Sequence, residues 1–194
     1  MHVSAGQPVM TVEIRALDRF NIDDLKRIAD GYLSLERYDV SRTATREWTA
    51  LTMNLVELER PYLKQWEWTA EDLHHYASVV DEGLSVGAFA GDELVGIGLA
   101  GRRAWNSTMW IEEFHVHRDW RRRGIGRQMM QALEQLARDA QLRVIGLETQ
   151  NTNVPGIDAY RRMGFEVESI DLSFYTNTDT LDGEVAIFMK HRLS

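Results

Sequence analysis

Between Thr108 and Ala140 the chain carries one unit that restricts its fold more than any other. An apolar run, TMWIEEFHV (Thr108–Val116), leads into RDWRRRGIGR, after which Ile125, Met129, Leu133, Leu136 and Ala140 fall on one stripe. Apolar residues at spacings of three and four over that length make an amphipathic helix, whereas the run before the loop is strand-like. The unit therefore reads as strand, glycine loop, helix. Its loop, Arg121 to Gly126, has the form Arg-x-x-Gly-x-Gly. In that position several backbone N–H groups and a helix N-terminus converge on a single anion. Gly124 and Gly126 allow close approach of phosphate oxygens, and Arg121, Arg122, Arg123 and Arg127 add local positive charge. A pyrophosphate suits such a loop. The Lys-Ser/Thr ending of a nucleoside triphosphate loop is missing, and so is the GxGxxG spacing of a dinucleotide fold. Taken alone, the segment also fits a solvated arginine-rich turn.

The remaining segments supply a sheet around this unit. TVEIRAL (Thr11–Leu17) alternates like a strand, and Asp23 or Asp24 is placed to cap a helix with Leu25, Ile28 and Tyr32 on one face. From Ser41 to Tyr76 the positions of Trp48, Leu51, Leu55 and Leu58 suggest a helix, broken by Pro61, Tyr62, Trp66 and Trp68 and followed by a short helix. LSVGAFA and LVGIGLAG, joined across Gly91 and Asp92, form a hairpin of two central strands. RVIGLET reads as a strand, followed by a helix entered at Pro155 and closed by Gly164, a strand around Phe165 to Val167, and a last strand EVAIFMK. The expected result is a mixed sheet covered by helices.

With 194 residues, 44% of them hydrophobic, and no repeat or linker, one compact domain over 11–194 is expected after a flexible segment 1–10. The balance of 30 acidic against 22 basic side chains, a formal charge of -8, opposes nucleic acid and anionic membranes and favours cationic ligands. No stretch has the length of a membrane span and the start lacks the pattern of a signal peptide, so a cytoplasmic location is expected. Cysteine is absent, which excludes disulfides, thiolate metal sites and a cysteine nucleophile. His115 and His117 share a strand face, but no third ligand accompanies them, and no metal is expected.

RRRGIG (Arg121–Gly126) resembles the acyl-CoA motif of the GNAT superfamily of N-acyltransferases. NVPGIDAYRRMGF (Asn153–Phe165) is similar to that family's Asn-x-x-Ala-x-x-x-Tyr followed by Gly-Phe, with Gly156 in place of the alanine. Trp105-Asn106, LETQNTNVP (Leu147–Pro155), SIDLSFY (Ser169–Tyr175) and, more loosely, PYLKQW (Pro61–Trp66) resemble the streptothricin acetyltransferase branch. The resemblance implies an α/β (α+β) fold in which four to five helices flank a mixed, mostly antiparallel twisted sheet of six to seven strands. It implies acetyl-CoA as cofactor and direct transfer in a ternary complex onto a primary amine of a small cationic acceptor, streptothricin-like or polyamine-like. Protein N-termini or lysines as acceptors, or a noncatalytic acyl-CoA sensor, are the alternatives. A homodimer is compatible with the family.

An alkyl ammonium with a pKa of roughly 10.4 has to lose a proton before it attacks a thioester, so carboxylates beside the central strands are wanted. Glu112, Glu113 and Glu148 are available. Strand alternation puts Glu112 and Glu113 on opposite faces, so at most one of them faces the acyl site. Glu113 is taken as base, with Glu112 and Glu148 as amine-binding groups and Glu148 also a candidate base. By resemblance, Tyr160 donates a proton to the leaving thiolate; without it, a ring packed on the sheet would suffice. The backbone from Phe114 through His115 to Val116 would pair with the pantetheine arm, while Ile125 belongs to the phosphate loop and Asn153 contacts the cofactor. Trp66, Trp105, Asp171 and Tyr175 are expected at the acceptor cleft.

Overall fold

The computed structural model describes residues 11–193, and the segment 1–10 lies outside the described residues. In chain order the elements are β1 (Val12–Ala16), α1 (Ile22–Ile28), β2 (Tyr32–Ala44), β3 (Thr49–Lys64), α2 (Ala70–Asp81), β4 (Val86–Ala90), β5 (Glu93–Arg103), β6 (Thr108–Val116), α3 (Ile125–Asp139), β7 (Val144–Gln150), α4 (Val154–Arg162), β8 (Glu166–Asp171), α5 (Asp179–Asp182) and β9 (Ala186–Arg192). Seven strands form one sheet in the order β1-β4-β5-β6-β7-β9-β8, and β2 and β3 form a separate pair. Within the large sheet β6 and β7 run parallel, while the other neighbours are antiparallel.

Both faces of this sheet are covered, which explains why its central strands are apolar almost throughout. On one face Ile125, Met129, Met130 and Leu133 of α3 and Ile157 of α4 pack with Met109, Ile111, Ile145 and Leu147. On the other, Leu25 and Ile28 of α1 and Val79 and Val80 of α2 cover Leu94, Ile97 and Leu99. Among the described residues no helix is long and apolar enough to cross a membrane. Local signals place the helix ends. Asn153 accepts from the backbone N–H of Gly156 at the start of α4, and Thr69 and Asp72 make a reciprocal capping box on α2.

Three sequence expectations are corrected. The cap of α1 is Asn21, whose side chain accepts from Asp23 N–H, and Tyr32 begins β2 instead of extending α1. The helix expected after Ser41 is a long hairpin, and only the short helix survives, as α2. Leu51 and Leu55, four apart, share a face in a strand as they do in a helix, so their spacing did not discriminate. Pro61 is accommodated in a wide bulge, where the register steps from Ser34↔Tyr62 to Glu36↔Glu57. Finally, β6 bulges: Leu99 pairs with Glu113 and Ala100 with Ile111, which leaves Glu112 as the extra residue and breaks the alternation expected of Glu112 and Glu113.

The hairpin is fastened to the sheet through Asn151, which is 3% exposed. Its side chain donates to Tyr38 O (2.8 Å) and accepts from Val185 N–H (2.7 Å), while its backbone accepts from Tyr38 N–H (3.0 Å) and donates to Val185 O (2.9 Å). Tyr32 and Thr152 hydroxyls lie 2.7 Å apart, and Lys64 reaches Glu184 at 2.7 Å. Asn151→Ala strands a buried donor and a buried acceptor at once. A loss of about 2 to 4 kcal/mol is expected, read as a lowered urea midpoint with an unchanged slope.

Candidate active site

The strands β6 and β7 pair only from Thr108↔Val144 to Ile111↔Leu147, although β6 continues to Val116 and β7 to Gln150. Beyond that point they separate, and a cavity of about 1230 Å³ opens through the gap. The β7-facing edge of β6 from Glu113 to Val116 is thus without a strand partner among the described residues. Such an edge offers N–H and C=O groups to an extended ligand arm.

At the end of β6 the chain makes a tight turn into α3. Gly124, at φ +79°, caps the helix from the left-handed region, and Arg122 also has positive φ (61°). These turns aim the first-turn N–H groups of α3 at the cavity mouth, where the helix dipole also favours an anion. Gly126 is different. A Cβ there would meet only Phe114 and Val116 side chains, at 3.7 and 3.8 Å, so the protein itself has room for a larger residue. Gly126 lines the cavity, and the open space beside it belongs to that cavity. Arg121 is held by Val116 O (2.9 Å) and Asp30 (2.5 Å), and so braces the loop to the residue before β2.

Tyr160, on α4, packs its ring against Phe114 and Phe165, with centroids 6.2 and 5.7 Å away. Its hydroxyl has no partner among the described residues, and the residue lines the cavity. Burial, then the nearby Glu113 and Glu148 charges, push its pKa well above the ordinary tyrosine value, so it keeps its proton at neutral pH.

Three carboxylates line the opposite side of the gap, and their surroundings differ. Glu113 accepts from Trp68 Nε1 (3.0 Å) and Tyr76 Oη (2.7 Å), and its second oxygen lies 2.5 Å from His115 Nε2. Burial raises its pKa, but the His115, Tyr76 and Trp68 hydrogen bonds outweigh burial and hold it below the usual carboxylate range. Glu148 receives a hydrogen bond from Tyr175, yet burial, reinforced by Glu184, pushes it up to about 7. Glu112 is raised by burial and partly relieved by His75, 3.4 Å away.

Most residues singled out in the sequence line this one cavity: Glu112 to Val116, Arg121, Arg122, Gly124 to Arg127, Glu148, Asn153, Tyr160, Trp66 and Tyr175. Three do not. Arg123 stacks over Trp120 (4.8 Å). Trp105 is 85% exposed in the turn before β6, at the end of that strand remote from the gap, and Asp171 ends β8 and caps Ser173 N–H. Tyr32, Trp68, Tyr76 and Phe174 also line the cavity; Trp68 and Tyr76 lie in the aromatic segment that reads as a closing wall in the sequence, whereas Tyr32 and Phe174 were not anticipated. They are ordinary aromatics in sequence. Only the fold brings them together, although Trp68 and Tyr76 belong to the aromatic stretch from Tyr62 to Tyr76.

Residues 43–165 match the acetyltransferase (GNAT) family. A streptothricin acetyltransferase of Streptomyces lavendulae is 36% identical over 109 residues, covering 56% of this chain and 57% of that protein. One from Escherichia coli is 32% identical over 108 residues, 56% of this chain and 62% of its own length. The chain thus aligns with about three fifths of each of these relatives. The crystal structure of nourseothricin acetyltransferase superposes with a TM-score of 0.76 at 25% identity, covering 94% of this chain and 99% of that one. A Bacillus anthracis structure in complex with acetyl coenzyme A has the same fold, with a TM-score of 0.74 at 24% identity over 95% of this chain and all (100%) of that one. With the family match spanning well over half its length, and the same fold in both structures, the chain belongs to the GNAT acetyltransferase family.

Proposed function

We propose that this protein transfers an acetyl group from acetyl-CoA directly to a primary amine of a small cationic acceptor, of the kind that the streptothricin acetyltransferases are named for. The observation that carries this reading is the two-sided gap between β6 and β7. An anion-binding loop and an unpaired strand edge reach it from one face, carboxylates and aromatic rings reach it from the other, and the free hydroxyl of Tyr160 borders it. The residues present fit the cofactor: first-turn N–H groups of α3 with Arg122 and Arg127 for the pyrophosphate, and the edge from Phe114 to Val116 for the pantetheine amides. Bound acetyl-CoA supplies an acyl group already activated as a thioester. Because the sequence has no cysteine, a cysteinyl acyl-enzyme has no place in the reaction.

In this reading the proton of the acceptor ammonium goes to Glu148. An ordinary carboxylate lies about 6 pH units below an alkyl ammonium of pKa roughly 10.4, and the rise of Glu148 to about 7 narrows that gap to about 3. Glu113, which the sequence favoured as base, is instead occupied by three hydrogen-bond partners and serves as a fixed anion that attracts the cation. Tyr160, protonated at neutral pH, donates a hydrogen bond to the departing sulfur, and the second proton lost by the attacking nitrogen as the C–N bond forms and the C–S bond breaks completes the thiol. Tyr32, Trp66, Tyr175 and Phe174 line the acceptor's side, where faces of rings suit a cation.

The test is thiol release from acetyl-CoA across streptothricin, polyamines, free lysine and N-terminal peptides; turnover confined to peptides would overturn the small-acceptor reading. Tyr160→Phe should lower kcat at least about tenfold while acetyl-CoA KM changes less than about twofold. Since Glu148 must be ionised to accept a proton, kcat/KM should rise as pH increases through about 7. Tyr175→Phe removes a hydrogen bond that lowers the Glu148 pKa, so this limb should move to higher pH; a limb unmoved in both Tyr175→Phe and Glu148→Gln would assign it to another group. Gly126→Ala should leave the melting temperature unchanged and weaken coenzyme A binding about tenfold by calorimetry.

A further inference from the structure

The arm made by β2 and β3 has an edge that the rest of the described chain leaves unused. β2 is the inner strand, since its Tyr38 exchanges hydrogen bonds with Asn151. β3 is therefore outermost, and its far edge has no strand partner among the described residues. Exposed edges are ordinarily protected by charge, by proline or by a bulge. Here the bulge and Pro61 lie at the base of the arm, and the charges Arg37, Asp39 and Arg42 sit on the inner strand. On the outer strand, Trp48 to Val56 is an uncharged run in a chain that is 27% charged. Leu51 and Leu55 of that run are 41% and 48% exposed. They share a face with Tyr38, Val40 and Met53, which pack toward the core and so fix the direction of that face.

The run is also self-complementary. About Met53 the pattern is mirrored: Thr52 and Asn54 are polar, Leu51 and Leu55 are large and apolar, Ala50 and Val56 are smaller and apolar, and Thr49 and Glu57 are polar. We propose that β3 pairs antiparallel with β3 of a second copy of this chain, Met53 facing Met53 on the two-fold axis, so that two arms make one four-stranded sheet. In that register each Leu51 faces Leu55 of the other copy, on the face fixed by the core. A shift of one strand repeat sets Leu51 against Glu57, and the opposite shift sets Glu57 against Glu47 of the other copy, so the mirrored register wins on both counts. An unrelated partner strand would not require a mirrored sequence, whereas an isologous contact does. The edges and leucine face of two such short strands fall below the about 800 Å² per partner of a standard stable interface. Association is therefore reversible and concentration-dependent.

Sedimentation of the full chain from low micromolar to several hundred micromolar should show a monomer–dimer equilibrium. Thr52 of one copy stands opposite Asn54 of the other, and both are exposed. Thr52→Lys with Asn54→Lys puts like charges together twice and should weaken dimerisation at least about tenfold, while Thr52→Lys with Asn54→Glu should restore it. Far-UV circular dichroism and melting temperature check that all variants fold. Because the chain has no cysteine, Met53→Cys can cross-link only to its own copy and should do so on mild oxidation. Leu55→Cys, about 13 Å from its counterpart in this register, should not. A chain that stays monomeric at every concentration overturns the proposal, as does a dimer indifferent to the lysine pair or one cross-linked equally at 53 and 55.

Discussion

The separation of β6 from β7 beyond Ile111 and Leu147 is the constraint on which the functional face depends. Each strand is held by a different antiparallel neighbour. β6 follows β5 as far as Val116, and β7 follows β9 along its whole length, from Val144↔Arg192 to Gln150↔Ala186. Sheet twist rotates the two pairs apart, and the bulge at Glu112 adds a local kink on the β6 side. The parallel contact between them is short enough to give way. The gap is thus maintained by hydrogen bonds on either side of it, so the unpaired backbone edge is a stable feature of the fold.

Across that gap, two carboxylates of the same face are driven in opposite directions by their immediate neighbours. Glu113 is surrounded by donors, and the hydrogen bonds to its charged form exceed the cost of burial. Glu148 has one donor, Tyr175, and shares its surroundings with Glu184, so burial prevails. The charge of Lys64, which is held by both oxygens of Glu184, lowers Glu148 but does not offset its burial. The result is one permanently charged group and one that titrates near neutrality, a division that proton transfer chemistry requires.

Features coded by adjacent residues were legible in the sequence: the loop at Gly124 to Gly126, the stripe of α3, the hairpin at Gly91, and the start of α4 near Pro155. The β2–β3 arm was not, because Leu51 and Leu55 satisfy helical and extended periodicities alike and its stabilising contacts, at Asn151 and Glu184, are remote in sequence. A bulge leaves no mark in a hydropathy pattern, so the common side taken by Glu112 and Glu113 could not be foreseen. The carboxylates themselves were identifiable, but not their order of acidity, which Trp68, Tyr76 and Tyr175 decide through the fold. Trp105 was placed near the cleft on likeness of segment alone; its turn is at the wrong end of β6.

The attachment of the arm at Asn151 has a consequence for how such a protein can diversify. Tyr32 and Trp66 to Trp68, at the two ends of the arm, furnish part of one wall of the cavity, whereas the loop before α3 and the start of α4 furnish the other, and these come from separate stretches of chain. The stretches meet along a seam made by the Asn151 hydrogen bonds, the Tyr32–Thr152 and Lys64–Glu184 contacts, and Arg161 of α4 on the hydroxyl of Tyr38. Recombination or drift within residues 32–68 can therefore reshape one wall while leaving the other intact, provided that the arm's seam residues, Tyr32, Tyr38 and Lys64, are kept. Tyr38 is the most constrained of these: its main chain makes both bonds to Asn151, while its buried ring packs in the core and its hydroxyl accepts a hydrogen bond from Arg161. The seam thus fixes a few side chains on the arm's side, and variation is free to accumulate between them.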